Sequence, residues 1–300
     1  MLKKRHAGSK MDFKSPAKKI LLQKHINFLV IHGLRLLCRF RYHTILTNII
    51  ERVPVSADEV TSITIDGEDM RYYARGAIGR QIFWTKSYPD AVAISIFTHL
   101  ARKSSVIMDI GANIGLFAIS GAKANLNARV YAFEPIPSLS DAIEANKALN
   151  DLSNIWVIPQ AVSNTTGVSS LYLTEDDTMA SLKQGRGLTI EGERQVSTVT
   201  LDEFCESRNI EKVDLIKIDV EGAETFVLKG GTATLNSSSP YVIVEVLNAE
   251  VAYYLNHLLG NMGYRFFNIT LSGIMPADTV EFSANLDNRN WLCVSNCREL

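Results

Sequence analysis

Three carboxylates stand within six residues of one another in LIKIDVEGAE, residues 215–224. The first four residues of this stretch are mostly apolar and predict a buried strand, and Asp219, Glu221 and Glu224 follow where that strand ends. Like charges this close together are costly unless a positive group or a chemical task offsets the repulsion. Such an arrangement therefore calls for a partner or a function.

Several kinds of chemistry would account for the cluster. Asp219 or Glu221 could act as the general base that removes a proton from an attacking hydroxyl. Alternatively, Asp219, Glu221 and Glu245, which lies in a later strand, could hold a divalent cation such as Mg²⁺, although the sequence does not favour a metal site. A structural role also stands: Lys217 lies on the same face of the strand as Asp219, and Glu224 suits the start of a helix.

A glycine-bearing turn forms a second candidate site. The run MDIGANIG places Gly111 and Gly115 between a predicted strand and a predicted helix. The spacing is neither that of a dinucleotide fingerprint nor that of a phosphate-binding loop, which needs a lysine. We therefore expect a ligand without phosphates, such as S-adenosylmethionine, with Asp109 facing its cationic amino acid end.

An acidic residue ends the next predicted strand. Glu134 closes YAFE, nineteen residues after Gly115. An acid at this position can accept hydrogen bonds from both hydroxyls of a ribose. The turn and this acid together predict a nucleoside site.

The elements that must position these groups alternate between strands and helices from about residue 105 onward. This alternation predicts βαβ units, a parallel sheet with helices on both faces, and ligands at the carboxyl ends of the strands. Before it, residues 61–75 predict a hairpin turning at Asp66 and Gly67, and Pro89 predicts the start of a helix through Leu100. Residues 164–200 interrupt the alternation, and we expect a lid or an extra hairpin there.

Composition limits the remaining options. The chain has 300 residues and is 46% hydrophobic, enough for one sizeable core. Its four cysteines include no CxxC pair, so we expect neither a disulfide framework nor a zinc site, and a reducing cytoplasm suits them. No run of about 18 apolar residues predicts a membrane-spanning helix.

The charge is distributed unevenly along the chain. Residues 1–52 hold twelve Lys or Arg against two acids, which leaves nineteen against thirty in the rest of the chain. Within this segment, residues 18–41 have a basic amphipathic pattern, which favours either packing against the protein or contact with an anionic membrane surface. We expect no nucleic acid partner, and the oligomeric state is not predicted.

Several motifs resemble one known family. The segments MDIGANIG, AFEP, AVSNTTG, LDEF and DLIKIDVEGAETFVLKG look like the FkbM family of S-adenosylmethionine-dependent methyltransferases, over roughly residues 85–250. The resemblance implies a class I methyltransferase, Rossmann-like sheet of seven strands, the last antiparallel, and methyl transfer to oxygen, often a sugar or polyketide hydroxyl. Together with the charge distribution and the predicted hairpin, it divides the chain into a basic segment (1–52), a hairpin and helix leading into the core (53–104) and a methyltransferase domain (105–300).

Carried over by position, the resemblance implies roles for particular residues. Asp109, Gly111, Asn113 and Gly115 would belong to the cofactor loop, Glu134 would bind the ribose, and Gln160 and Ala161 would border the adenine. The segment TMASL resembles one near the family's active site, so Ser181 would contact the substrate or the cofactor. The predicted strand order, and not the resemblance, places Asp219 and Glu221 as the catalytic acids and brings Glu245 to the same edge. The acceptor is then a sugar, glycan or lipid-linked glycoside. The other hypotheses are a nicotinamide-dependent oxidoreductase and a non-catalytic, membrane-associated protein that binds the same cofactor.

Overall fold

The computed structural model describes residues 55–86, 88, 90–174, 180–183, 190–285 and 288–299 of the chain. The basic segment 1–52, with its predicted amphipathic helix at 18–41, lies outside the described residues, and so does Pro89. Among the helices that are described, none is long and apolar enough to cross a bilayer.

The described chain begins with an antiparallel hairpin. Strand β1 (Val60–Ile65) pairs with β2 (Glu68–Tyr73), and the turn lies at Asp66 and Gly67, which both have positive φ. This confirms the predicted hairpin, because positive φ at both central residues matches the twist of the strands.

Two helices connect the hairpin to the sheet. Helix α1 (Gly76–Thr85) contains two glycines, which disfavour helix, and the sequence pattern did not predict it. Gly79 lies so close to the hairpin that a Cβ there would be 2.6 Å from the carbonyl oxygen of Tyr73. Helix α2 (Ala91–Ala101) confirms the helix predicted through Leu100.

The rest of the chain alternates between strands and helices. The strands are β3 (Val106–Ile110), β4 (Arg129–Phe133), β5 (Ile155–Ile158), β6 (Ala161–Val162), β7 (Gly167–Leu173), β8 (Gly192–Val199), β9 (Leu215–Ile218), β10 (Tyr241–Glu245), β11 (Tyr264–Thr270), β12 (Gly273–Ala277) and β13 (Asn290–Ser295). The helices are α3 (Leu116–Ala124), α4 (Pro137–Leu149), α5 (Leu201–Ser207), α6 (Glu224–Gly230), α7 (Thr232–Ser238) and α8 (Ala249–Asn261).

The central sheet has eight strands in the order β12-β11-β13-β10-β9-β3-β4-β5. Five neighbouring strands, β10, β9, β3, β4 and β5, are parallel, and the last strand, β13, runs antiparallel between β10 and β11. The prediction of seven strands is one too few. The additional strand, β12, folds back on β11 through a short hairpin at the edge of the sheet, where Pro276 is tolerated because an edge strand leaves N–H positions unpaired.

The insertion at 164–200 contributes to a second, smaller sheet. Strands β7 and β8 form an antiparallel hairpin, and β6 pairs with β8 in parallel. The extra hairpin is therefore confirmed.

Side chains from the two faces of the central sheet form two apolar clusters. Successive residues of β3 and β9 alternate between them: Ile107 and Leu215 face one cluster, whereas Met108 and Ile216 face the other. Helices cover both faces, as expected for a parallel sheet that is buried on both sides. This arrangement leaves the carboxyl ends of the strands as the edge where loops gather.

Candidate active site

A cavity of about 560 Å³ lies where β3, β4 and β9 end. Seven predicted site residues line it, and four do not. Those that line it are Gly111, Asn113, Glu134, Ala161, Ser181, Asp219 and Glu221; Asp109, Gly115, Gln160 and Glu245 are not among the lining residues. The volume falls within the range typical of cofactor pockets. The two motifs that carry chemistry therefore meet at one cavity.

Gly111 brings these two motifs together. Its φ is +82°, and a Cβ at this position would lie 1.8 Å from the backbone oxygen of Asp219. Any other residue would force the loop after β3 away from the loop after β9. The second glycine, Gly115, ends this loop: it precedes α3 with φ +86°, and a Cβ there would lie 3.1 Å from Ile143 of α4.

Asp109 is also placed differently from the prediction. Its side chain is 1% exposed, and Oδ2 accepts a hydrogen bond from the backbone N–H of Ala118, at 2.8 Å. Burial raises the pKa of this carboxyl to about 7, against the opposing effect of Lys217. Alternation along β3 explains the position, because Asp109 shares the face of Ile107 and points under α3. The Asp109 carboxylate therefore holds the start of α3 in place and does not reach the cavity.

Glu134 lines the cavity and is held rigidly. Its Oε2 accepts from the backbone N–H of Asn113 and its Oε1 from that of Ile136, both at 2.9 Å. Burial is the main reason that its pKa is raised to about 7. Each carboxylate oxygen has a second acceptor position, so the fixed carboxylate can still bind two ribose hydroxyls.

A buried oxygen atom of Asn113 shows whether a polar ligand fits in this part of the cavity. Asn113 lines the cavity with φ +53°, and its buried Oδ1 makes no hydrogen bond in the described structure. A buried acceptor without a partner is costly, so it is expected to meet a donor when a ligand binds. The residues around Glu134 therefore fit a nucleoside cofactor.

The second sheet supplies another wall of the cavity. Ser181 is 6% exposed, donates a hydrogen bond to the backbone oxygen of Val220 at 3.4 Å, and pairs with Tyr172 in an isolated bridge. Leu171 and Ala161 line the same cavity, whereas Gln160 does not. The insertion thus encloses the site from the side where adenine was expected.

The carboxylates after β9 form a compact group. Oxygens of Asp219, Glu221 and Glu245 all lie within 4.8 Å of one another. Glu221 adopts φ +55° in a tight loop that Glu224 holds, since its Oε1 accepts from the backbone N–H of Gly222 at 2.9 Å. Glu224 begins α6 and is fully buried, which confirms its structural role.

A buried ammonium balances this group. Lys217 is 1% exposed, and its Nζ lies 3.3 Å from Oδ2 of Asp219, which confirms the predicted ion pair. Burial acts to lower the pKa of Lys217, but Asp219, Glu245, Asp90 and Asp109 outweigh it, and the pKa is raised. Lys217 therefore stays charged.

Glu245 behaves differently from its neighbours. Burial and the charge of Asp219 raise its pKa well above the ordinary range, and the two side chains share a hydrogen bond. Because Glu245 keeps its proton near neutral pH, it donates to Asp219 instead of repelling it.

Some lining residues were not predicted as part of the site. Arg80 and Gln81 come from α1, and Tyr88 follows this helix and has a side-chain hydrogen bond with Asp90. Asp90 in turn accepts from Nδ2 of Asn290 at 2.8 Å. Only the aromatic character of Tyr88 offered a signal in the sequence, because α1 itself was not predicted.

The strand order, with five parallel strands and an antiparallel last strand, defines the class I methyltransferase fold, and the cavity lies at its cofactor-binding edge. A family model described as the methyltransferase FkbM domain matches residues 109–266. The chain therefore belongs to the FkbM family of S-adenosylmethionine-dependent methyltransferases. This membership decides against the nicotinamide-dependent oxidoreductase that the glycine turn alone left open.

Named relatives share the central part of the chain. The hexuronic acid methyltransferase AglP of Haloferax volcanii is 34% identical over 156 residues, which is 51% of this chain and 60% of AglP. The 2-O-methyltransferase NoeI of Sinorhizobium fredii is 28% identical over 170 residues, covering 52% of this chain and 69% of NoeI. A crystal structure of a methyltransferase FkbM from Methylobacillus flagellatus superposes with a TM-score of 0.39 at 15% identity, covering 71% of this chain and 52% of that one.

Proposed function

We propose that this protein transfers the methyl group of S-adenosylmethionine to a hydroxyl group of a sugar, a glycan or a lipid-linked glycoside. One observation carries the proposal: the Asp219 and Glu221 carboxylates line the same cavity as the glycine turn and Glu134. The hexuronic acid methyltransferase AglP supports a sugar as the acceptor, and the 2-O-methyltransferase NoeI supports transfer to oxygen.

The cofactor residues hold one reactant in place. Bound S-adenosylmethionine supplies a methyl group on a positively charged sulfonium. Glu134 would bind the ribose hydroxyls, and the backbone around Gly111 and Asn113 would border the rest of the nucleoside. The negative charge of Asp219 and Glu221 favours a cationic ligand beside them.

Asp219 is the proposed general base. A sugar hydroxyl is a weak nucleophile until its proton leaves, and a carboxylate within hydrogen-bond reach can accept that proton as the oxygen attacks. The proton then resides on Asp219 while the oxygen–carbon bond forms and the carbon–sulfur bond breaks. Lys217 and Glu245 hold the Asp219 side chain in place, and this positioning contributes to the rate because the displacement must be in line.

A metal-assisted reaction is the alternative for the same cluster. Three carboxylates within 4.8 Å could hold Mg²⁺. The buried ammonium of Lys217, however, already pairs with Asp219 and would repel a divalent cation bound beside it. We therefore propose catalysis without a metal.

Substitution of the base tests this function. We expect Asp219→Asn to lower kcat about 10²- to 10⁴-fold, because general-base catalysis contributes about that much. Asp141→Asn, at an exposed position of α4, serves as the matched control. Methyl transfer is followed as a gain of 14 Da in glycans and glycolipids by mass spectrometry.

Three further results would contradict parts of the proposal. Unchanged turnover of Asp219→Asn would remove Asp219 as the base. Loss of wild-type activity in EDTA, restored by Mg²⁺, would favour the metal-assisted alternative. Absence of S-adenosylhomocysteine binding by calorimetry, in wild type and Glu134→Ala alike, would reject the cofactor site and leave a protein that does not turn over.

A further inference from the structure

Helix α1 brings an unpaired cation to the wall of the cavity. Among the lining residues that the structure describes, Arg80 is the one Lys or Arg side chain. Among the residues that the structure describes, neither Arg80 nor its neighbour Gln81 has a side-chain hydrogen-bond or ion-pair partner. Both are half-buried, so they are only partly solvated.

Four other arginines of the described chain have acidic partners, whereas exposed ones such as Arg129 and Arg194 have none. Arg71 pairs with Asp151 at 3.3 Å, and Arg298 pairs with Asp214 at 3.3 Å. Arg80 lies in a cavity that also contains Glu134, Asp219 and Glu221, yet it pairs with none of them. A guanidinium that is half-buried without a partner is suited to receive an anion from outside, because its planar fork matches a carboxylate or a phosphate.

The position of α1 in the chain indicates which reactant carries that anion. The residues proposed to hold the cofactor lie within 109–266, the part of the chain that matches the family domain. Arg80 and Gln81 lie before this part and are supplied by an element outside it. The cofactor is common to the family, whereas the acceptor differs between its enzymes. A residue outside the shared domain is therefore better suited to bind the acceptor than to bind the cofactor.

Charge also requires such a group if the acceptor is acidic. Asp219 and Glu221 repel a second anion at the rim of the cavity, so an acidic acceptor would bind poorly unless a cation holds its charge elsewhere. Among the lining residues within the described ranges, Arg80 carries the positive charge that can do so.

We propose that Arg80, assisted by the amide of Gln81, binds a carboxylate or phosphate group of the acceptor. The methylated hydroxyl then belongs to an acidic sugar or to a glycoside linked through phosphate. This inference rests on the proposed function of the chain as a sugar O-methyltransferase.

The experiment labels the acceptor through its new methyl group. Purified protein and S-adenosylmethionine carrying a tritiated methyl group are incubated with a glycan and glycolipid extract of the source cells, and the products are separated by anion exchange. We expect the label in the retained, acidic fraction. Reduction of carboxyl groups with carbodiimide and borohydride distinguishes the two anions, because it releases a uronate from the resin but leaves a phosphate bound.

Variants then connect the label to Arg80. With the labelled acidic acceptor as substrate, we expect Arg80→Gln to lower kcat/KM at least tenfold, mainly through KM, and Arg80→Lys to recover part of it. Arg129→Gln is the matched control, since Arg129 is exposed at the start of β4, at the opposite edge of the sheet. Binding of S-adenosylhomocysteine should stay within twofold in all three variants.

Two outcomes would overturn this inference alone. Label found only in the neutral fraction would show that the acceptor carries no anion. A loss of S-adenosylhomocysteine affinity in Arg80→Gln, with unchanged KM for the acceptor, would assign the guanidinium to the carboxylate of the cofactor. Wild-type protein that binds S-adenosylhomocysteine but labels no fraction would instead refute the proposed function, and this inference would fail with it.

Discussion

Replacement of Lys217 by methionine tests how the acidic cluster is held together. Lys217 is 1% exposed on β9, and it lies beside Asp109 of β3 in the register of the sheet. Its ammonium pairs with Asp219 at 3.3 Å and is also attracted by Glu245 and Asp90. Methionine has a similar length and no charge, so Lys217→Met removes the cation with little change in volume.

The cost of this substitution follows from the acids left behind. Removing one partner of a buried ion pair typically costs about 3–5 kcal/mol. For 300 residues the unfolding entropy is about 0.6 kcal/mol/K, so 1 kcal/mol corresponds to about 1.6 °C of melting temperature, and the decrease is roughly 5–8 °C.

The loss should depend on pH in a defined direction. Without the ammonium, the folded-state pKa values of Asp109, Asp90 and Glu245 rise further above their unfolded values, which lie near 4. An acid whose folded pKa is raised binds more protons in the folded than in the unfolded state, so stability falls as pH rises between the two pKa values. The variant should therefore be closest to wild type near pH 5 and furthest from it near pH 8.

Urea unfolding at pH 5, 6.5 and 8 measures this difference, with the slope against urea checked for constancy. Lys212→Met is the matched control, because Lys212 also pairs with an aspartate, Asp214 at 3.6 Å, but is 65% exposed. We expect less than about 1 kcal/mol for the control at every pH. If Lys217→Met unfolds like Lys212→Met, with no dependence on pH, the buried ammonium does not hold the cluster together.

Three other predictions concern the site and the basic segment. From pH 4.5 to 8, the free energy of unfolding of Glu134→Gln should rise by about 3 kcal/mol relative to that of the wild type. Burial raises the pKa of Glu134 to about 7, so the ionised wild-type carboxylate costs stability as the pH rises. A difference that stays constant with pH in urea titrations would contradict this. Glu245→Gln should retain kcat within a few-fold at pH 7 and should lose less activity than the wild type at alkaline pH. The amide keeps a hydrogen-bond donor to Asp219, which the wild-type carboxyl loses when it ionises. A collapse of kcat at pH 7 would refute this. Residues 1–52 carry about ten net positive charges, so their deletion should reduce cosedimentation with anionic vesicles but not with neutral ones. Equal cosedimentation of the full-length and the truncated protein with anionic vesicles would reject membrane contact.

The sequence predicted those parts of the site that depend on sheet geometry. Once the glycine turn, Glu134 and Asp219 were placed at strand ends, the rule that ligands bind beyond the carboxyl ends of parallel strands brought them together. The structure confirms that these groups line one cavity, and Gly111 lies directly against the backbone of Asp219. The hairpin at 60–73 was predicted for a similar reason, since its turn residues have a local conformational preference.

Side-chain direction accounts for most of the errors within the motifs. Asp109 was predicted to face the cofactor, yet its carboxylate lies under α3 and does not line the cavity. Alternation along β3 would have indicated the direction of Asp109, because Ile107 and Asp109 share a face. The close approach of Gly115 to Ile143 depends on how α3 and α4 pack, which no short motif encodes.

Other parts of the site depend on tertiary structure alone. Arg80 and Gln81 reach the cavity because α1 packs on the hairpin, and Gly79 permits this close packing although glycine disfavours a helix. The edge strand β12 was missed for a comparable reason, as its sequence GIMPA has a glycine and a proline, and pairing with β11 overrides these local preferences.

The charges of the site have to meet two opposite demands. A sulfonium ligand favours negative charge along the cavity, but three carboxylates within 4.8 Å repel one another when no ligand is bound. Lys217 and the proton on Glu245 reconcile these demands from behind the cavity, since neither is among the residues that line it. The negative groups can thus remain facing the ligand while their mutual repulsion is offset inside the fold. For this reason Lys217, a charged residue in the middle of a buried strand, belongs to the working site as much as the acids that line the cavity.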